Sequence, residues 1–207
     1  TLWSGIMALS KIQAESMNLA DTYAFSGTVS GSGMNLLLND TISSAVAQYD
    51  ISSTYINSTY DSYFLETSLA PADDGKYLYM RVFVDGSVVT SGSQYGYETQ
   101  RIGGAYSTGG FNNNATSTFV LTHGEVGNAT GEVATSQVTI QNVNSTTHPF
   151  SVTGLTSYGS AYSAPGNTIF GGSLIPASYA SVVNGLRFWF SSGNIANGTV
   201  RLYGLRK

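Results

Sequence analysis

The chain has 207 residues, a net charge of −4 and only 10% charged side chains, against about 25% in an average globular domain. It contains no Cys, which excludes a disulfide framework, a thiolate metal site and a thiol nucleophile. It has no basic run, which excludes counterion-releasing contact with nucleic acid. Gly is abundant at 24, Pro scarce at 4, and Tyr numbers 14, a strand-and-turn composition whose surface must be built from Ser, Thr, Asn, Gly and Tyr. Such a surface repels itself weakly and suits contact with protein or sugar. No apolar stretch approaches the roughly 20 residues of a membrane span, so membrane insertion is not expected.

Residues 1–34 differ from the rest. Leu2, Gly5, Leu9, Ile12, Ser16, Leu19 and Tyr23 follow a 3-4-3-4 spacing, a heptad stripe broken at Gly5 and Ser16. Lys11, Gln13, Ala14 and Glu15 favour a helix, but the segment is too short to hold one alone in water. Three readings stay open: a helix docked on its own domain, an arm packing with copies of itself or a neighbour, or an extended arm. Leu9, Ile12, Leu19 and Tyr23 are the candidate assembly residues. Gly27, Gly31 and Gly33 mark a linker near 26–34. The segment before Met7 is too short and uncharged for a signal peptide, and Met7 itself has the form of an initiator.

From residue 35 to 207 the pattern is period two or short apolar runs between turn residues. It predicts strands near Asn35–Leu38, Ala45–Ile51, Tyr63–Leu69, Tyr77–Val84, Tyr95–Arg101, Thr118–Thr122, Gln137–Val143, Phe150–Thr156, Leu186–Ser191 and Thr199–Leu205. Asp73-Asp74-Gly75, Asp85-Gly86 and Gly103-Gly104 are turn signals. The run Tyr77–Val84 reads as a central strand covered on both faces. Its Arg81 is then buried, at an interface, or paired with a carboxylate. Gly103–Thr116 reads as a surface loop, and Ala177–Val183 as a helical turn. About ten strands between Gly- and Asn-rich turns give an all-β fold, an antiparallel β-sandwich of jelly-roll type with a short N-terminal helical or extended arm.

Residues that carry chemistry are sparse. His123 and His148 stand at separate strand ends without ligand spacing. Asp73/Asp74, Asp50/Asp61 and Glu125/Glu132 are the carboxylate pairs available to glycoside hydrolysis, but Asp73, Asp74 and Asp61 occupy turn positions, and nothing forces any pair into a cleft. No Ser lies in a nucleophile elbow, and no phosphate loop or dinucleotide fingerprint occurs. Gly31-Ser32-Gly33 and Gly171-Gly172-Ser173 read as loop glycines. Six Asn-x-Ser/Thr sites, at Asn39, Asn57, Asn114, Asn128, Asn144 and Asn197, match the number chance gives in a chain so rich in these residues. No catalytic residue, metal ligand or cofactor is expected. Tyr95, Tyr97, Tyr106, Tyr158 and Tyr162, with Phe111, are candidate exposed aromatics for stacking on a sugar. The other reading makes such tyrosines cross-strand pairs and subunit contacts.

Two stretches resemble a known group. Met7–Val29 (MALSKIQAESMNLADTYAFSGTV) looks like the opening of structural proteins of marine tailed bacteriophages, those of cyanobacteria included. In the body, Ile56–Tyr63 (INSTYDSY), Pro71–Gly75 (PADDG), Phe83–Gly86 (FVDG), Gly185–Asn194 (GLRFWFSSGN) and Gly198–Leu205 (GTVRLYGL) follow an order similar to tail-fibre-like or capsid decoration proteins of such phages. The resemblance implies a non-enzymatic virion subunit. Its arm (1–34) anchors it, and its β-sandwich (35–207) makes symmetric contacts, a homotrimer being the expected assembly. Implied partners are copies of itself, other virion proteins such as the major capsid or tail protein, and a host-surface glycan. The implied location is the virion surface. The resemblance brings no site residues.

Overall fold

The computed structural model describes residues 33–102, 110–162, 165–175 and 182–205, and the side chains of 111–115 lie outside that description. Leu9, Ile12, Leu19, Tyr23 and Tyr106, the turn at Gly103-Gly104 and residues 177–181 of the expected helical turn lie outside the described residues; Val182 is not helical and Val183 opens a strand. The chain divides into two units, Thr1–Ser32 and Gly33–Lys207. The second is all-β.

Among the described residues its thirteen strands are β1 (Met34–Ile42), β2 (Tyr49–Ile51), β3 (Ser62–Pro71), β4 (Leu78–Val84), β5 (Ser87–Val88), β6 (Tyr95–Arg101), β7 (Gly110–Thr116), β8 (Phe119–Val120), β9 (Ala134–Gln141), β10 (Ser151–Gly159), β11 (Pro165–Leu174), β12 (Val183–Phe190) and β13 (Ile195–Leu205). They form a long sheet ordered β1-β13-β3-β9-β10-β11-β6-β7 and a short sheet ordered β2-β12-β4-β5, with β8 also paired to β4. All the ladders are antiparallel.

The connectivity is that of a jelly roll. Pairing β1 with β13, β2 with β12, β3 with β9 and β4 with β8 folds the chain back on itself from its two ends inward. β13–β3 and β12–β4 then join these pairs within each sheet, the arrangement of two Greek keys wound as a double sheet. The strands β10, β11, β6 and β7 extend the long sheet beyond this framework.

Period-two side chains build the core. β3 alternates with Tyr63, Leu65, Thr67, Leu69 and Pro71 inward, and β9 with Ala134, Ser136, Val138 and Ile140 inward. Opposing residues of the short sheet include Leu78, Met80 and Val82 of β4 and Leu186, Phe188 and Phe190 of β12. Phe119 of β8 plugs the interior. Its ring stands edge-on to Tyr95 at 4.8 Å and lies 6.5 Å from Tyr97 and 6.3 Å from Phe150. The Tyr95 hydroxyl accepts the Val82 N–H at 3.2 Å and donates to the Val89 carbonyl at 2.9 Å, so one phenol ties the long sheet to the short one.

The expected turn at Asp85-Gly86 joins β4 to β5 as a two-residue hairpin, both residues at positive φ (49° and 77°), as a type I′ turn requires. β4 is not covered on both faces: Leu78, Met80 and Val82 are buried, whereas Tyr79, Arg81 and Phe83 are half-buried on the outer side. Among the described residues Arg81 pairs with no carboxylate. Its Nε donates to the Ser117 carbonyl at 2.7 Å and its guanidinium lies 4.7 Å over the Trp189 ring. Residues 110–116 of the expected loop form β7, because the neighbouring β6 backbone supplies a ladder even to an Asn-rich sequence. Gly171-Gly172-Ser173 is not a loop but part of β11. There a Cβ on Gly172 would sit 2.7 Å from a Phe119 ring carbon, so this glycine marks close packing within a strand.

Candidate contact surface

Three of the four described candidate sugar-stacking tyrosines are buried. Tyr95 is fully buried and Tyr97 is 8% exposed, both pointing into the core. Tyr158 is buried too. Each lies at the inward phase of its strand, and only the phase relative to the core, which a period-two pattern of aromatic and polar residues leaves ambiguous, decides the matter. Tyr162 is 62% exposed, and its hydroxyl donates to Glu125 Oε2 at 2.7 Å. Phe111 lies on β7 opposite Thr99.

Three of the carboxylates have their own donors. Asp50 receives the Arg187 Nε and Nη2 at 2.8 and 2.7 Å. Glu132 Oε2 accepts the Ala129 N–H at 2.8 Å. Asp40 Oδ2 accepts the Tyr49 hydroxyl at 2.8 Å, and burial together with this neighbouring charge pushes the Tyr49 phenol up. His123 Nδ1 lies 3.3 Å from Thr99 Oγ1. Burial, helped by the Arg101 charge, pushes its pKa below the usual value. Among the described residues no group of three or more His, Cys, Asp or Glu is placed to hold a metal ion.

The outward side of the long sheet is the largest continuous surface that the registers define. Eight strands at about 4.8 Å spacing make it roughly 34 Å wide. One cross-strand row runs Leu36, Tyr203, Phe64, Thr139, Thr153, Gly171, Glu98. The next runs Asn39, Arg201, Glu66, Gln137, Leu155, Ile169, Gln100. Arg201 and Glu66 sit opposite each other, and Arg201 Nε donates to Asn39 Oδ1 at 3.2 Å. Hydroxyls and carboxamides dominate the middle. Apolar groups stand at both ends: Met34 and Leu36 (44% and 54% exposed) at the β1 edge, and Leu155, Ile169 and Ile102 (42%, 49% and 42%) on the extension.

A depression of about 780 Å³ opens on that extension, with Glu98, Gln100, Thr153, Leu155 and Ile169 around Gly171. It exists because Gly171 has no side chain between Thr153 and Glu98. A Cβ there would make only ordinary contacts, 3.8 Å to Thr153 Cγ2. Exposed paired aliphatics beside an unfilled notch favour burial against a partner. Sequence reasoning missed the notch because Ile169, Phe170 and Gly171 of its rim sit on β11, whose glycines read as a loop.

No family model, curated protein sequence or solved structure matches this chain.

Proposed function

We propose that the chain is a non-enzymatic structural subunit of a tailed-phage particle, a capsid decoration, head-fibre or tail-fibre protein. In this reading residues 1–34 anchor it, and the outer face of the long sheet packs against neighbouring copies. The observation that carries the proposal is that face: broad, with Arg201, Glu66 and Glu98 as the charges in its two central rows, and apolar at both ends. Arg201 beside Glu66 can meet its own image across a symmetry axis without like-charge contact, which suits self-association. The jelly roll, a fold shared by viral capsid and lectin domains, is compatible with the role but does not by itself imply it. The sugar-binding alternative loses Tyr95 and Tyr97 as contact residues.

Mass spectrometry of purified virus particles tests the proposal. The chain is expected in a fixed copy number per particle, and deletion of residues 1–26 is expected to remove it from particles while leaving a folded sandwich. Absence of the full chain from the particles contradicts the structural role, and normal incorporation of the truncated chain contradicts the anchor.

A further inference from the structure

The short sheet ends in a small pocket separate from the long-sheet face. It has a volume of about 220 Å³ and is lined by Asp50, Ser52, Ser53, Phe83, Gly86 and Asn184. Three of these side chains are fixed before any ligand arrives. The fork of Arg187 holds both Asp50 oxygens at 2.8 and 2.7 Å. A carboxylate offers about four acceptor positions; Gln48 Nε2 also lies 3.4 Å from Oδ2, and Oδ1 keeps one position for a ligand. Asn184 Oδ1 accepts the Gly86 N–H at 3.3 Å, which orients the carboxamide and leaves Nδ2 as its donating end. The Phe83 ring packs against Gly185, where a Cβ would come within 3.1 Å of the ring, and lies 5.1 Å under the Arg187 guanidinium.

The chemistry of this set is selective. Asp50 and Arg187 neutralise each other, so neither a bare anion nor a bare cation finds an uncompensated partner. A fixed carboxylate, a carboxamide donor and two serine hydroxyls match vicinal hydroxyls, each of which donates and accepts. An aromatic ring at the border matches a C–H face. The volume lies below the roughly 300–1,000 Å³ of drug-sized sites and has room for one small ring rather than an extended chain. We infer that this pocket binds a single neutral pyranose, such as the terminal sugar of a surface glycan, with Asp50 as hydrogen-bond acceptor and Asn184 as donor. The site does not depend on the virion reading, and either can fail without the other.

The test uses the full chain, ¹⁵N-labelled, titrated to about 50 mM with glucose, galactose, mannose, N-acetylglucosamine, N-acetylgalactosamine and rhamnose, and with anionic N-acetylneuraminic acid. At least one neutral sugar is expected to shift the amides of Ser52, Ser53, Gly86 and Asn184 in a saturable way, with Kd in the millimolar range or tighter, and the anionic sugar is not. Asp50→Asn is expected to weaken that binding roughly tenfold, about 1.4 kcal/mol. Ser53→Tyr, at an exposed loop position, fills the pocket without touching the Asp50–Arg187 pair and is expected to abolish binding even if Asp50→Asn proves unstable. No shift at these amides with any neutral sugar, shifts confined to other regions, or binding undiminished in Ser53→Tyr overturns the inference.

Discussion

The two outward faces of the sandwich are built on the same pleat but finished differently. On the short sheet the outward side chains hold one another. Tyr79 stands edge-on to Trp189 at 5.5 Å, Arg81 lies over that indole, and Arg187 is clamped by Asp50 and lies over Phe83. Arg81 and Arg187 are direct register partners, a like-charge opposition relieved because each guanidinium turns to its own acceptor and ring. On the long sheet, Leu155 and Ile169 face each other across the ladder and both stay more than two-fifths exposed. A face satisfied internally is pre-organised for a small ligand. A broad face with exposed aliphatics gains by burial against a partner.

The largest expected effect removes what the two faces share. Phe119→Ala vacates the ring that meets Tyr95, Tyr97 and Phe150, and is expected to cost about 3–5 kcal/mol, read as a lowered denaturant midpoint. If the midpoint hardly moves, the sheets do not share one core. Tyr95→Phe keeps the ring but leaves the Val82 N–H and Val89 carbonyl without their partner, for about 1–3 kcal/mol. Burial of this phenol raises its pKa to about 12. The unfolded chain therefore deprotonates first, from about pH 10 upward, and stability present below that is lost as pH climbs toward 12. Tyr95→Phe is expected to flatten part of that alkaline loss in pH-dependent melting.

The next test separates the faces. Trp189→Ala is expected to cost about 1–2 kcal/mol through its lost Tyr79 and Arg81 contacts. Ile169→Lys, on an exposed outward position, is expected to stay within about 0.5 kcal/mol and to reduce self-association instead. The reverse pattern in paired melting and light-scattering measurements would erase the distinction between the faces.

The smallest effect concerns His123. Burial and Arg101 lower its pKa, so its neutral form belongs to the folded state. Stability is whole above the ordinary histidine value of about 6.5 and is lost as pH falls below it. His123→Gln is expected to remove that slope below about pH 6.5, measured as melting temperature.

Most of the framework was legible in the sequence because period two survives wherever side chains alternate between core and solvent, as in β3, β6 and β9. The Asp85-Gly86 turn was legible because positive φ needs those residue types. β11 was not, since its glycines are dictated by rings on other strands: Gly166 lies against Tyr158 and Gly172 against Phe119. The same gap hid the notch at Gly171. The sugar pocket was hidden for a related reason, as Asp50, Phe83 and Asn184 are far apart in the chain and only the β2–β12–β4 ladder gathers them. The direction of Tyr95 and Tyr97 was a question of phase, which a strand pattern alone leaves open.

The most direct measurement is sedimentation velocity of the full chain beside a Leu36→Lys/Leu155→Lys/Ile169→Lys variant, with circular dichroism to confirm that the variant is folded. The account expects the native chain to sediment as an oligomer and the variant to fall to monomer with its β-sheet spectrum intact. A native chain that is monomeric at all concentrations, or a variant that assembles as well as the native chain, contradicts it.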